Sequence, residues 1–224
     1  MLKSVLKLSW VSVFLLCVSC APKRIEIPSY EGKPLREVLS EMKGISDIEA
    51  KFEIVFEKND AEMRGDAALN ISSSGDMSLR VYSLGFLAMQ LTSENGNVKS
   101  TPHLDGSKTL ILTRGIRDCL FWWDIEDFTV EEGSDYFLVE NPVRRIWIDK
   151  QTFLPKRQNI LFADGKELSI YYDNPAKADN IWYQSKIKIA FAKYSVTLNV
   201  KNINFKAAQA GRISLRAPGL LQPS

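Results

Sequence analysis

The chain has 224 residues, 45% of them hydrophobic and 25% charged, which excludes disordered and collagen-like classes and suits one good-sized domain or two small ones. Lys+Arg total 29 against Asp+Glu 27; without Lys3 and Lys7, which lie in a leader-like segment, the two balance. No basic stripe capable of neutralising phosphates is visible, so nucleic acid is not an expected partner. The single histidine, His103, excludes a His-rich metal site, and neither metal nor cofactor is expected.

Residues 1–19 have the pattern of a secretory signal: Lys3 and Lys7 at the start, then the short apolar run Val11-Ser12-Val13-Phe14-Leu15-Leu16, and no acid. The run is too short for a mature membrane span. Small residues then precede a cysteine in Cys17-Val18-Ser19-Cys20-Ala21, which resembles the lipobox of bacterial lipoproteins. The resemblance implies cleavage before Cys20, acylation of that residue with diacylglycerol and a fatty acid such as palmitate, and a permanent anchor, since each buried methylene contributes roughly 0.8 kcal/mol. Cys17 stands where that family usually has leucine. A plain signal peptide that leaves Cys20 as an ordinary thiol is the alternative. Ala21 is not Asp, which in the enterobacterial lipoproteins favours the outer membrane. After processing, Cys119 is the one cysteine left, expected as a small buried hydrophobe.

Residues 20–33 read as the lipidated cysteine and a tether, 34–207 as the folded domain and 208–224 as a C-terminal tail. The domain opens with an expected helix: Pro34 in the first turn, Leu35, Val38, Leu39 and Met42 on one face, Gly44 at the stop. From Glu49 the apolar period falls to two. Phe52, Ile54 and Phe56 alternate with charged residues, and the pattern recurs at Ala67–Ile71, Met77–Val81 and Leu87–Leu91. It returns at Ile146–Ile148, Ile160–Phe162, Leu168–Tyr172, Ile187–Phe191 and Val196–Val200, then slips by one near Asn202, as a β-bulge would. Ser74-Gly75, Asn95-Gly96, Asp164-Gly165 and Asp173-Asn174-Pro175 supply turns. Residues 103–128 do not alternate; Leu110, Ile111, Leu112, Ile116, Leu120 and Phe121 could share a helical face, against which Gly115 and the β-branched residues count.

These signals predict a mainly β fold of about nine to eleven strands: a single large curved antiparallel sheet, an unclosed half β-barrel, covered by α-helices at 34–43 and 108–121. Such a lid would enclose an elongated apolar cavity. The candidate lining is Phe52, Ile54, Phe56, Leu69, Leu79, Val81, Met89, Ile170, Ile189 and Leu198; the competing expectation is that these side chains pack a dry core. A transmembrane barrel shares the alternation, but the dense Lys/Glu face and the non-alternating insertion argue against it.

With the lipobox, the early helix running into the strand at 48–58, Arg64-Gly65-Asp66, the stretch Leu79 to Leu91 with its Leu-Gly turn, and Asp149 to Lys156 before Asp164-Gly165, the chain resembles the LolA and LolB family of bacterial lipoprotein carriers and receptors, and the membrane-anchored LolB type in particular. The resemblance implies a lipid-anchored protein on the periplasmic face of the outer membrane. It would act as a chaperone in lipoprotein transport, binding acyl chains of lipoproteins and helping to insert them, with a soluble periplasmic carrier as donor, and would be a monomer rather than an enzyme. In LolB the leucine of the Leu-Gly turn projects into solvent and is needed for insertion. Leu84 matches it, with Phe86 and Leu87 as neighbouring apolar surface and serine, not proline, before it. A Leu84 folded back onto the sheet edge is the alternative. Phospholipid or another apolar ligand as cargo, and a scaffold lipoprotein with a filled core, are the other functional readings. Trp122 and Trp123 suit lid packing or an interfacial anchor. Catalysis has no motif: His103 and Asp105 have no nucleophile beside them, and Asp124, Glu126, Asp127, Glu131 and Glu132 lack calcium-loop spacing and read as a solvated face.

Overall fold

The computed structural model describes residue 28, residues 33–59 and residues 61–207. The segments expected as a leader and a C-terminal tail, Cys20 and most of the expected tether lie outside the described residues.

Helix α1, Leu35–Met42, buries Leu35, Val38, Leu39 and Met42, the face expected from the 3.6-residue period. Pro34 caps it in an extended conformation, and Gly44 closes it by donating to the Glu41 carbonyl at 3.2 Å. Five strands follow as a meander: β1 (Ile45–Lys58), β2 (Ala61–Ser72), β3 (Met77–Ser83), β4 (Phe86–Glu94) and β5 (Asn97–Thr101). A helical segment comes next, in three consecutive parts: α2 (Gly106–Leu110), a π-helical turn (Ile111–Gly115) and α3 (Ile116–Leu120). A second meander completes the domain with β6 (Thr129–Glu132), β7 (Tyr136–Asn141), β8 (Arg144–Asp149), β9 (Pro155–Leu161), β10 (Glu167–Ala178), β11 (Ile181–Phe191) and β12 (Tyr194–Ala207).

All twelve strands form one antiparallel sheet in the order β5-β4-β3-β2-β1-β12-β11-β10-β9-β8-β7-β6. The two meanders meet along β1 and β12, and the sheet does not close. β5 and β6 are therefore opposite edges, and residues 102–128 must cross the whole width of the sheet to join them. They do so over its apolar face. The strands that the sequence did not single out are β5, β6 and β7, where a single side chain, Val139, is buried; strands at or next to an edge that bury little on either face carry no clear alternation. The bulge expected near Asn202 is present: Lys51 pairs with Asn202 and Phe52 with Val200, leaving Lys201 unpaired.

The inward side chains, among them Phe52, Leu69, Leu79, Ile146, Ile170, Ile189 and Leu198, form one core with the helices. Gly115 sets how closely the helical segment approaches. A β-carbon there would stand 3.0 Å from Ile189 Cγ2 and 3.4 Å from Leu168 Cδ1, so a glycine in a helix interior, normally unfavourable, is explained by contact with β10 and β11.

Candidate functional site: an apolar cavity beneath the lid helix

The helical segment is fastened at one end. Arg144 on β8, only 7% exposed, donates to the carbonyls of Asp124 (2.7 Å), Asp118 (2.9 Å) and Trp122 (3.3 Å) and to Gln158 Oε1 (3.1 Å). These carbonyls belong to the C-terminal end of the segment, where a helix leaves acceptors unsatisfied. The Tyr172 hydroxyl also donates to Gln158 Oε1, at 3.0 Å. Burial pushes the Arg144 guanidinium below its ordinary range, against the pull of Asp118. Arg117 pairs with Asp118 (2.9 Å) and Asp124 and donates to the Ser73 carbonyl in the β2–β3 turn at 2.8 Å. Burial works against the Arg117 charge, but Asp118 and Asp124 outweigh it and raise its pKa. α3 is thus tied to both meanders. Nothing along the chain marks this clasp, because the carbonyls that Arg144 binds are backbone groups placed by the crossing.

Trp122 and Trp123 sit inside this packing, 3% and 2% exposed, with ring centres 5.8 Å apart in an edge-on arrangement. Burial decides for lid packing over an interfacial anchor. Cys119 is buried and its thiol, pushed upward by burial, donates to the Ile116 carbonyl at 3.2 Å. In the acidic stretch, Asp124 pairs with Arg117 and Glu132 with Lys150 at 2.7 Å; among the described residues no group of His, Cys, Asp and Glu is arranged to hold a metal.

At the other end of the segment no residue of α2 is buried, and there a cavity of about 230 Å³ opens. Ile54 and Phe56 on β1, Val81 on β3 and Met89 on β4 line it, all four from the expected set. Phe52, Leu69, Leu79, Ile170, Ile189 and Leu198 lie elsewhere on the same face, 0–2% or so exposed in the core. Residues that the sequence did not single out complete the lining: Met63, Arg64, Gly65, Ser83 and Ala88 from the sheet, then Pro102, His103, Leu104, Lys108 and Leu112 from the crossing segment. Gly65 permits the close approach of β3, since a β-carbon there would meet the Tyr82 carbonyl oxygen at 2.6 Å. Asp105 caps α2 by accepting from the Lys108 amide (3.0 Å) and also accepts from the Tyr194 hydroxyl (3.0 Å). The Lys108 amide bond is the main reason that its carboxyl lies below the usual range.

The β3–β4 turn stands at the same end of the sheet, because antiparallel pairing puts the end of β1, the start of β2 and the end of β3 together. Ser83 pairs with Phe86, leaving Leu84 and Gly85 as a two-residue turn with φ of 51° and 84°, the signature of type I′, which favours Asn-Gly. Leu84 is 95% exposed, Phe86 79% and the neighbouring Met63 57%. Leu84 therefore stands out from the sheet edge instead of folding back on it.

No protein-family model and no curated protein matches the sequence. Solved structures do match the architecture. A LolA superfamily protein from Nitrosomonas europaea superposes with a TM-score of 0.53 at 11% identity, over 80% of this chain and 96% of that one. The fold is that of the LolA superfamily. A DUF1329 family protein from Desulfovibrio piger gives a TM-score of 0.55 at 10% identity, over 83% of this chain and 96% of that one. At such identities the LolA-like likeness is one of fold, and the chemistry rests on the residues described above.

Proposed function

We propose that the protein is a lipoprotein anchored through Cys20 on the periplasmic face of the outer membrane, which takes acyl chains of other lipoproteins between sheet and lid helix and helps insert them into the membrane. The observation that carries this reading is Leu84. It is almost fully exposed, its backbone occupies a region costly for a β-carbon-bearing residue, and it stands beside the mouth of an apolar cavity. A residue that weakens the fold without packing against it calls for a use outside the fold, and burying one leucine in lipid contributes roughly 1.5–3 kcal/mol. The lid is firm at the α3 end and lightly held over the cavity, so cargo enters beneath α2. No cofactor takes part, and transfer runs downhill on differential affinity. A soluble periplasmic carrier is the donor in this scheme.

A second reading is a lipid-anchored carrier of phospholipid or another apolar ligand, and the size of the cavity favours the smaller apolar ligand. Its 230 Å³ falls below the roughly 300–1,000 Å³ usual for drug-sized ligands, and triacylated cargo requires the lid to lift.

The test places the full-length protein in vesicles and supplies an acylated lipoprotein. Wild-type protein binds it saturably and incorporates it into the bilayer, whereas Leu84→Glu binds but does not incorporate. Absence of acyl binding, or equal incorporation by Leu84→Glu, overturns the proposal. Intact mass of the mature chain tests acylation of Cys20.

A further inference from the structure

Two cations stand at the mouth of the apolar cavity. Its lining includes Arg64 and Lys108, with the His103 imidazole as a further polar group, and no carboxylate, whereas the two surface hollows near the α3 end mix acids with bases. Lys108 is the most enclosed of the three. Its Nζ stands 5.9 Å from the Phe56 ring centre and 5.6 Å from that of Tyr194, with Asp105 Oδ2 at 3.4 Å. Asp105 already serves the Lys108 amide and the Tyr194 hydroxyl. Arg64 pairs with Glu62 and approaches Glu53 at 3.9 Å, its side chain 62% exposed. An ammonium carries three N–H donors and a guanidinium five, so both retain donors for an incoming anion.

Volume limits the rest of the ligand. The cavity of about 230 Å³ falls below the roughly 300–1,000 Å³ of sites that enclose a whole drug-sized ligand, so the enclosed portion of an acyl ligand is short. That is part of one long acyl chain, the remainder leaving through the mouth. Two or three chains side by side do not fit while Leu112 and Lys108 cover the sheet.

We infer that the lid-closed cavity is a site for a single acyl chain bearing an anionic head, a long-chain carboxylate or a monoacyl phosphate. The chain lies between Val81, Met89 and Leu112, and the head meets Arg64, His103 and Lys108. This rests on the acyl-binding reading above and narrows it: a neutral diacylglyceryl group brings no charge to the remaining donors of Arg64 and Lys108, and multi-chain cargo requires the lid to rise.

The experiment uses the full-length protein in neutral phosphatidylcholine vesicles with four photoreactive probes: diazirine-labelled palmitate, lysophosphatidate, monoacylglycerol and diacyl phosphatidylcholine. Crosslinks are mapped by mass spectrometry. Both anionic single-chain probes should label the peptides carrying Met63 and Met89 about fivefold more than the other two, the scale of one exposed charge pair, and their ratio tells carboxylate from phosphate. Arg64→Gln with Lys108→Gln should bring the anionic probes down to the neutral level, with circular dichroism melting showing that the variant is folded. Should its fold be lost, the wild-type probe ranking decides alone. Equal labelling by monoacylglycerol overturns the anionic head and leaves the acyl site standing; equal labelling by the diacyl lipid overturns the single chain. Failure of every probe to label the cavity removes the acyl-binding reading, and this inference with it.

Discussion

Replacing Leu84 by asparagine should move stability and function in opposite directions. Leu84 has φ of 51° and is 95% exposed, so its side chain loses almost no burial on replacement. Its left-handed backbone costs a leucine about 1–2 kcal/mol, much of which asparagine avoids. A gain of about 1 kcal/mol corresponds to a rise in Tm of about 2–4 °C for a chain of this size, measurable by circular dichroism. The same substitution removes roughly 1.5–3 kcal/mol of transfer into lipid, a loss of about 10- to 150-fold in the membrane-inserted population, to be followed by vesicle cosedimentation of the acylated-cargo complex. A lower Tm would refute the strain argument. Unchanged insertion would refute the assignment of Leu84 to the membrane.

Two further substitutions test the clasp and the sheet. Arg144→Met leaves the Asp118, Trp122 and Asp124 carbonyls and Gln158 Oε1 without their donor, and should cost about 3–5 kcal/mol. With m near 2–3 kcal/mol/M the urea midpoint then drops by about 1–2.5 M, and Trp122 and Trp123 report the change by fluorescence; a drop under about 0.3 M would mean that the carbonyls find other partners. Asp149 accepts from the amides of Gln151 and Thr152 and from the Thr152 hydroxyl in the turn between β8 and β9. Burial raises its pKa, but these bonds and Lys156 outweigh burial and lower it overall. A carboxyl lowered by folding contributes stability that is full above the ordinary aspartate range and is lost as pH falls through the lowered value. Asp149→Ala should therefore cost about 1–2 kcal/mol at neutral pH and progressively less as pH falls through and below the ordinary aspartate range; urea unfolding that shows the same cost at neutral pH and in acid below that range would contradict this.

Most of the sheet was legible along the chain. Leu168, Ile170 and Tyr172 are buried and alternate with Ser169 and Tyr171, which are not, and along β1 Phe52 and Ile54 are buried around Glu53; a period of two marks a strand with one covered face. The strands at Asn97–Thr101, Thr129–Glu132 and Tyr136–Asn141 left almost no such record, since strands at or next to an edge bury little on either face. The helical segment at 106–120 was half legible. Leu112, Ile116 and Leu120 mark a face, but Gly115 disfavours a helix locally, and the reason for it, Ile189 at 3.0 Å from where its β-carbon would be, lies on a distant strand.

The site divides in the same way. Sequence alone determined the alternation, the turns and the Leu-Gly pair at 84–85, because each is written in neighbouring residues and follows from local backbone and burial rules. Tertiary structure decided that β1 and β12 join the two meanders and that residues 102–128 must cross from β5 to β6. That crossing brings Lys108 to Phe56 and Arg144 to the Asp118 carbonyl. It also decided which apolar residues face a cavity: Val81 and Met89 do, while Leu79 and Leu198 pack in the core. The two groups have the same pattern in sequence, and only their distance from the lightly held end of the lid separates them.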